Sequence, residues 1–103
     1  MSMLSEKDLE LSCKVSELRD AMTEYLEEGV KNWLRKEQNL EMWDMYCTDV
    51  HDLGVVLMKM EEGNLDRAWY EASQLETAAR DVIPGRVYDY LYENGSDKGK
   101  WRL

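Results

Sequence analysis

The first third of the chain carries a seam of apolar residues that repeats at intervals of four, three, four and three: Leu11, Val15, Leu18, Met22 and Tyr25. This spacing places the five side chains on one face of an α-helix, in the manner of a coiled-coil seam. Ser5 and Asp8 are spaced as an N-cap residue and its acidic N3 partner, which marks the start of this helix. Leu26, Val30 and Trp33 continue the stripe one position over.

The predicted length of this first helix indicates what part of its apolar seam packs against. Gly29 ends the helix, kinks it, or is tolerated at a cost of about 1 kcal/mol relative to Ala. A helix that continues to Lys36 is about 45 Å long at 1.5 Å per residue, which is long for a chain of 103 residues. We therefore expect part of the seam to pack against a second copy of the chain in a homodimer.

Two further segments show the same helical period. The second begins after Asn39, a favoured N-cap residue, and Gly63-Asn64 predicts a C′ glycine followed by the N-cap of the next helix. Its apolar positions are Trp43, Tyr46, Val50, Leu53, Leu57 and Met60. The third segment, residues 65–82, has an alanine-rich seam that lets neighbouring helices approach closely, and Pro84-Gly85 ends it.

The fourth segment, residues 86–93, fits either a short helix or one strand of a hairpin that turns at Asn94-Gly95. The helix is favoured because a two-stranded hairpin alone is marginally stable and the preceding segments offer it no sheet. The sequence therefore predicts an all-α fold, a small bundle of three or four antiparallel helices with a long N-terminal helix. We assign residues 1–95 to a single helical domain, and residues 96–103 to a polar, basic tail that we expect to be mobile.

Composition places the chain among intracellular globular proteins. Apolar residues make up 44% of it, which is enough for one modest core. Cys13 and Cys47 lack a CxxC spacing, and we expect two reduced thiols rather than a disulfide. The N-terminus lacks the apolar run of a signal peptide, and no apolar stretch approaches the ~20 residues that cross a bilayer. We therefore expect a cytoplasmic protein that does not engage a membrane.

The negative charge of the chain is concentrated in its middle third. The net charge is −9, and residues 37–66 carry eight acidic residues and one base, Lys59. This surplus argues against direct binding to nucleic acid or to anionic lipid, because both need Lys and Arg. It permits binding to a basic protein, including one that normally holds nucleic acid. The candidate partner-binding residues, most of them off the second seam, are Glu37, Glu41, Asp44, Asp49, Asp52, Glu61 and Glu62.

Two interpretations of this acidic face stay open. It is either a solvated face that keeps the chain in solution or an electrostatic patch for a basic partner. The most specific version of the second is mimicry, in which carboxylates on helices present a charge pattern like that of phosphates. Small size, acidic helices and many Trp, Tyr and Met residues resemble, in general character, the accessory proteins of phages and mobile elements, some of which inhibit host nucleases or restriction systems.

The chain carries no sequence motif for catalysis or metal binding. His51 lies four residues after Cys47, so the two would share a helix face, but Cys13 is the only other Cys or His and a structural zinc site needs four ligands. There is no P-loop, GxGxxG, GxSxG or HExxH pattern. We therefore expect no enzyme activity, no metal and no cofactor.

These patterns favour a non-enzymatic protein-binding module, an inhibitor or modulator that docks its acidic second helix on a basic partner, such as a host nucleic-acid-binding complex. Such binding weakens steeply with salt. The alternative is a homo-oligomeric structural or scaffolding protein, whose dimer survives high salt and depends on the first seam. A third interpretation, a small enzyme, would need a bound metal or an unusually reactive Cys47 thiol.

Overall fold

A computed structural model describes residues 5–35 and 40–96 of the chain, and the regular elements within these ranges are all α-helices. There are five: α1 (Glu6–Arg35), α2 (Leu40–Glu61), α3 (Leu65–Ser73), α4 (Thr77–Arg80) and α5 (Gly85–Gly95). The all-α prediction is confirmed, and the fourth segment is a helix rather than a hairpin. Residues 97–103 of the expected tail lie outside the described residues.

The third predicted helix is two helices in the structure, so the expected count of three or four is wrong. The chain leaves helical geometry after Ser73, whose hydroxyl donates to the Tyr70 carbonyl oxygen at 2.7 Å and competes there with the backbone ladder. The guanidinium of Arg80 in α4 donates to the carbonyl oxygens of Ser73 and Leu75, which the break leaves open. Both Leu75 and Ala79 remain buried in the core across this break.

Two predicted helix boundaries are confirmed by their capping hydrogen bonds. Ser5 Oγ accepts from the Asp8 N–H at 3.2 Å, and Asp8 Oδ2 accepts from the Ser5 N–H at 3.4 Å. At the end of α2, Gly63 has a φ of +78°, and the N–H groups of Gly63 and Asn64 donate to carbonyl oxygens of the last turn in a Schellman motif. The side chain of Asn64 then caps α3.

The hydrophobic core lies at one end of the molecule, where α2, α3 and α5 pack on one another and α1 closes the cluster. Its largest fully buried side chains are Leu18, Leu53, Met60, Leu91, Val56 and Val87. The alanine-rich seam behaves as predicted, because Ala68, Ala72 and Ala79 are all buried and bring their helices close to the neighbouring ones.

The chain's own helices cover the α1 seam, which we expected to hold a second copy. Tyr25 packs on Tyr46 of α2, with ring centroids 4.9 Å apart. Val15 and Leu18 of the seam belong to the core, and Leu11 and Met22 pack against it. The seam therefore stabilises the single chain. Homodimer formation, and the part of the seam in it, stay predictions.

Beyond the core, α1 and α2 continue side by side as a two-helix arm, which we define as residues 25–35 and 40–50. The arm contains no buried side chain. The outline of the molecule, 51 × 34 × 19 Å, is elongated because α1 is about 45 Å long at 1.5 Å per residue. The arm therefore presents two helices that pack on each other and on little else.

Aromatic contacts hold the two helices of the arm together. α1 runs through Gly29 without a break, and the ring of Tyr46 lies against this glycine. Asn32 donates to the Tyr46 hydroxyl at 3.0 Å. Nearer the tip, the rings of Trp33 and Trp43 pack with centroids 5.5 Å apart, and both residues are half-buried.

Candidate functional site: an acidic cleft at the base of the arm

An acidic cleft lies where the arm leaves the core. It has a volume of about 350 Å³ and opens to solvent. Two elements line it, α2 with Asp44, Met45, Thr48, Asp49 and Asp52, and the connection between α3 and α4 with Gln74 and Glu76. Four of these seven residues carry carboxylates, so the cleft is a region of negative potential.

Helical spacing explains why three aspartates of α2 share this cleft. Asp44, Thr48 and Asp52 follow one another at intervals of four and therefore form one stripe. Asp49 lies next to that stripe, on the side that faces α1. The break after α3 brings Glu76 to the cleft from a different part of the chain, and so completes the acidic surface.

Asp49 also supports the fold. Its Oδ2 atom accepts a 2.7 Å hydrogen bond from the Tyr25 hydroxyl of α1. Burial, and then this hydrogen bond, raise the pKa of Tyr25 above its ordinary range, so the hydroxyl stays a donor. Asp49 is half-buried at the α1–α2 interface and is therefore not one of the carboxylates on the outer face of α2. Asp44 and Asp52 are exposed and accessible to a partner.

The structure brings together three of the seven predicted partner-binding residues, Asp44, Asp49 and Asp52. Within residues 5–35 and 40–96, none of these three forms an ion pair with Lys or Arg. Glu41 is exposed in the first turn of α2, and Glu37 lies outside the described residues. Asp44, Asp49 and Asp52 thus place three negative charges in the cleft.

The other two predicted residues lie at the opposite end of α2 and are paired. Glu61 accepts from Arg19 of α1 at 3.1 Å, and Glu62 lies 3.4 Å from the Lys59 ammonium group. Both pairs are open to solvent, with side chains exposed to between 26% and 59%, so their contribution to stability is small. They nevertheless offset the charge of Glu61 and Glu62, which therefore do not belong to the acidic cleft.

Sequence reasoning missed Gln74 and Glu76. One continuous helix over residues 65–82 would not turn these two side chains toward α2, and only the polar run at Ser73-Gln74 signals a break. That signal shows where a helix can end, but it does not show which helix the following residues will face.

The cleft suits an ammonium or guanidinium group. Carboxylates accept strong charge-assisted hydrogen bonds from both, and the apolar side chain of Met45 can contact the methylene stem of Lys or Arg. Cys47 and His51 are exposed, and Cys13 and Cys47 are free thiols. In the part of the chain that the structure describes, no group of three or more His, Cys, Asp or Glu side chains is arranged to hold a metal ion.

Comparisons with protein families, with curated proteins and with solved structures find no match to this chain. Among the described residues, no helix is both long and apolar enough to span a membrane.

Proposed function

We propose that the chain is a non-enzymatic binding module that docks its acidic cleft on a basic surface of another protein. The observation that carries the proposal is the convergence of Asp44, Asp52 and Glu76 on one cleft, with no Lys or Arg paired to them among the described residues. Like charges held close together destabilise a folded chain. A Lys or Arg side chain that enters from a partner relieves this repulsion.

The geometry favours recognition of a projecting basic side chain over mimicry of a row of phosphates. Mimicry needs carboxylates at regular spacing on one face, whereas Asp49 turns toward α1 and Glu61 is paired with Arg19. A single guanidinium or ammonium group needs only a few carboxylate oxygens around it. Docking of this kind covers a basic surface that the partner uses for its own anionic ligand, so the chain acts as an inhibitor or modulator of that partner.

The test compares two variants with the same net charge. Asp52→Lys/Glu76→Lys reverses two cleft carboxylates, and Asp81→Lys/Glu93→Lys reverses two exposed carboxylates outside the cleft. The affinity of each for a synthetic Arg-rich peptide is measured by calorimetry at low and high salt. We expect the cleft variant to lose affinity by about tenfold or more, the control to lose much less, and wild-type binding to weaken at high salt.

Equal losses in the two variants would contradict the proposal, because they would mean that total charge, and not the cleft, determines binding. Asp49 stays unchanged in this design, since its reversal would remove the acceptor of the Tyr25 hydroxyl and disturb the arm itself. Circular dichroism of both variants checks that their helices are intact.

A further inference from the structure

A second surface of the arm is apolar. Leu26, Val30 and Leu34 follow one another at intervals of four and form a stripe along α1. All three are exposed, Leu34 to 72%, and Leu40 at the start of α2 is exposed to 73%. We name as the back face the surface formed by these four side chains, the Trp33–Trp43 pair and Cys47.

The back face points away from the rest of the molecule. Glu17 of α1 lies 3.8 Å from Arg86 of α5, and Leu26 follows nine residues later, which is two and a half helical turns and thus the opposite side. On α2, Val56 is fully buried in the core, and Cys47 precedes it by the same nine residues. Both helices therefore turn this side of the arm away from α3 and α5.

The two outer edges of the arm carry opposite charges at the same level. Gly29 of α1 contacts Tyr46 of α2, and Trp33 contacts Trp43 about one turn nearer the tip. Residues 31 and 44 lie between these two contacts, so they are at the same height along the arm, and both face outward. These residues are Lys31 on α1 and Asp44 on α2, and neither is in an ion pair within the described ranges.

We propose that the back face is a homodimer interface, in which α1 of each copy packs against α2 of the other in an antiparallel four-helix bundle. A two-fold axis parallel to the arm exchanges its two helices, so the Lys31 edge of one copy meets the Asp44 edge of the other. The surface is thus complementary to itself in apolar content and in charge at residues 31 and 44, although the exposed Glu27 lies one turn from Lys31 on the same edge. The proposal does not rest on the function of the acidic cleft, which opens on a different side of α2, although Asp44 lies at the border of the two surfaces and belongs to both.

The size of the back face sets the expected strength of the dimer. Two helices of about 10 Å width and about 20 Å of exposed length offer roughly 400 Å² per copy, which gives about 800 Å² in a dimer, the size of a weak, transient interface. We therefore expect micromolar dissociation. High salt screens the repulsion between two copies of charge −9, so the dimer persists at high salt, whereas binding at the acidic cleft weakens.

Sedimentation equilibrium of the full chain, up to a concentration of about 100 µM, tests the interface. We expect a dimer for the wild type, a monomer for Val30→Glu/Leu34→Glu, and a dimer for the control Met45→Glu. Met45 is exposed to 60% on the arm but lies in the cleft and not on the back face. Each new carboxylate is exposed, so the helices should remain intact by circular dichroism.

A second test exchanges the charges of Lys31 and Asp44, which are both exposed, so the hydrophobic core is unchanged. Lys31→Asp should weaken the dimer, and Lys31→Asp/Asp44→Lys should restore it. A monomeric wild type, a dimer that survives Val30→Glu/Leu34→Glu, or a failure of the exchange to restore association would each overturn the proposal. So would a monomer that instead binds vesicles of phosphatidylcholine through Leu34 and Leu40.

Discussion

The ring of Tyr46 lies so close to Gly29 that a Cβ atom at residue 29 would be 2.9 Å from Cδ1 of the ring. The ring cannot easily move aside, because Asn32 donates to its hydroxyl and Tyr25 packs on its face. The absence of a side chain at residue 29 is therefore what lets α1 and α2 approach each other in the arm.

Gly29→Ala should destabilise the chain, although Ala is the better helix former. The gain in helix propensity is about 1 kcal/mol, and forcing a methyl group against a fixed ring costs about 2 kcal/mol, so the net loss is about 1 kcal/mol. Gly54→Ala is the matched control, because no atom lies within 4 Å of a Cβ there, and it should stabilise α2 by about 1 kcal/mol. Urea denaturation measures the free energy of unfolding of both variants. A Gly29→Ala chain that is more stable than the wild type would contradict the packing of Tyr46 on Gly29.

Gly95→Ala should be more damaging. A Cβ at residue 95 would overlap the carbonyl oxygen of Leu65 and would also be 2.9 Å from Cβ of Trp69. Because a helical carbonyl group cannot rotate away as a side chain can, we expect a loss of about 3 kcal/mol. Gly85→Ala, where nothing lies within 4 Å of the added atom, should change stability by less than about 0.5 kcal/mol. Thermal melting gives the melting temperatures of the Gly95→Ala and Gly85→Ala variants. Equal melting temperatures would be inconsistent with the close approach of α3 and α5.

The Tyr25–Asp49 hydrogen bond should make stability depend on alkaline pH. In the folded chain burial and Asp49 raise the pKa of Tyr25, whereas in the unfolded chain it is about 10. Above about pH 10 the unfolded chain releases this proton and the folded chain keeps it, so the free energy of unfolding falls. The stability that Tyr25 contributes is therefore complete below that pH and is lost as the pH rises.

Tyr25→Phe isolates this effect. We expect it to be about 1 kcal/mol less stable than the wild type near pH 7, because the hydrogen bond is lost, and the difference to shrink above about pH 10. Tyr90, whose pKa burial also raises, titrates in both chains and cancels from the comparison. Urea denaturation across the alkaline range provides the values, and a constant difference at all pH values would rule out the coupling.

Local signals in the sequence predicted the parts of the fold that depend on neighbouring residues. Ser5 with Asp8, and Gly63 with Asn64, mark helix ends because their capping hydrogen bonds join residues a few positions apart. The break at Ser73 was not predicted. The apolar rhythm continues through Leu75 and Ala79, and the open carbonyl groups are satisfied by a side chain from the next helix.

The α1 seam shows a second reason why sequence alone was insufficient. Intervals of four and three residues are typical of helices that pack within one chain and of helices that pack between chains. The pattern from Leu11 to Tyr25 therefore predicted a packed face, but it could not show that α2 and α5 of the same chain supply the packing.

The candidate site was predicted as a cluster and not as a cleft. The excess of acidic residues in α2 is visible in the sequence. Which of these residues are held by contacts within the chain, and which stay available, depends on residues far apart in the sequence. Tyr25 reaches Asp49 across 24 residues and Arg19 reaches Glu61 across 42, while Glu76 arrives from a separate segment. These contacts decide which carboxylates remain available to a basic partner.

The most direct test of the acidic cleft is to locate where a basic probe binds. Amide chemical shifts of isotope-labelled chain are recorded while a synthetic Arg-rich peptide is added. We predict that the largest changes fall at residues 44–52 and 74–76, and that Asp52→Lys/Glu76→Lys abolishes them. Changes spread evenly over all acidic stretches, including Glu10 and Glu17 of α1, would contradict the assignment of this cleft as the binding site.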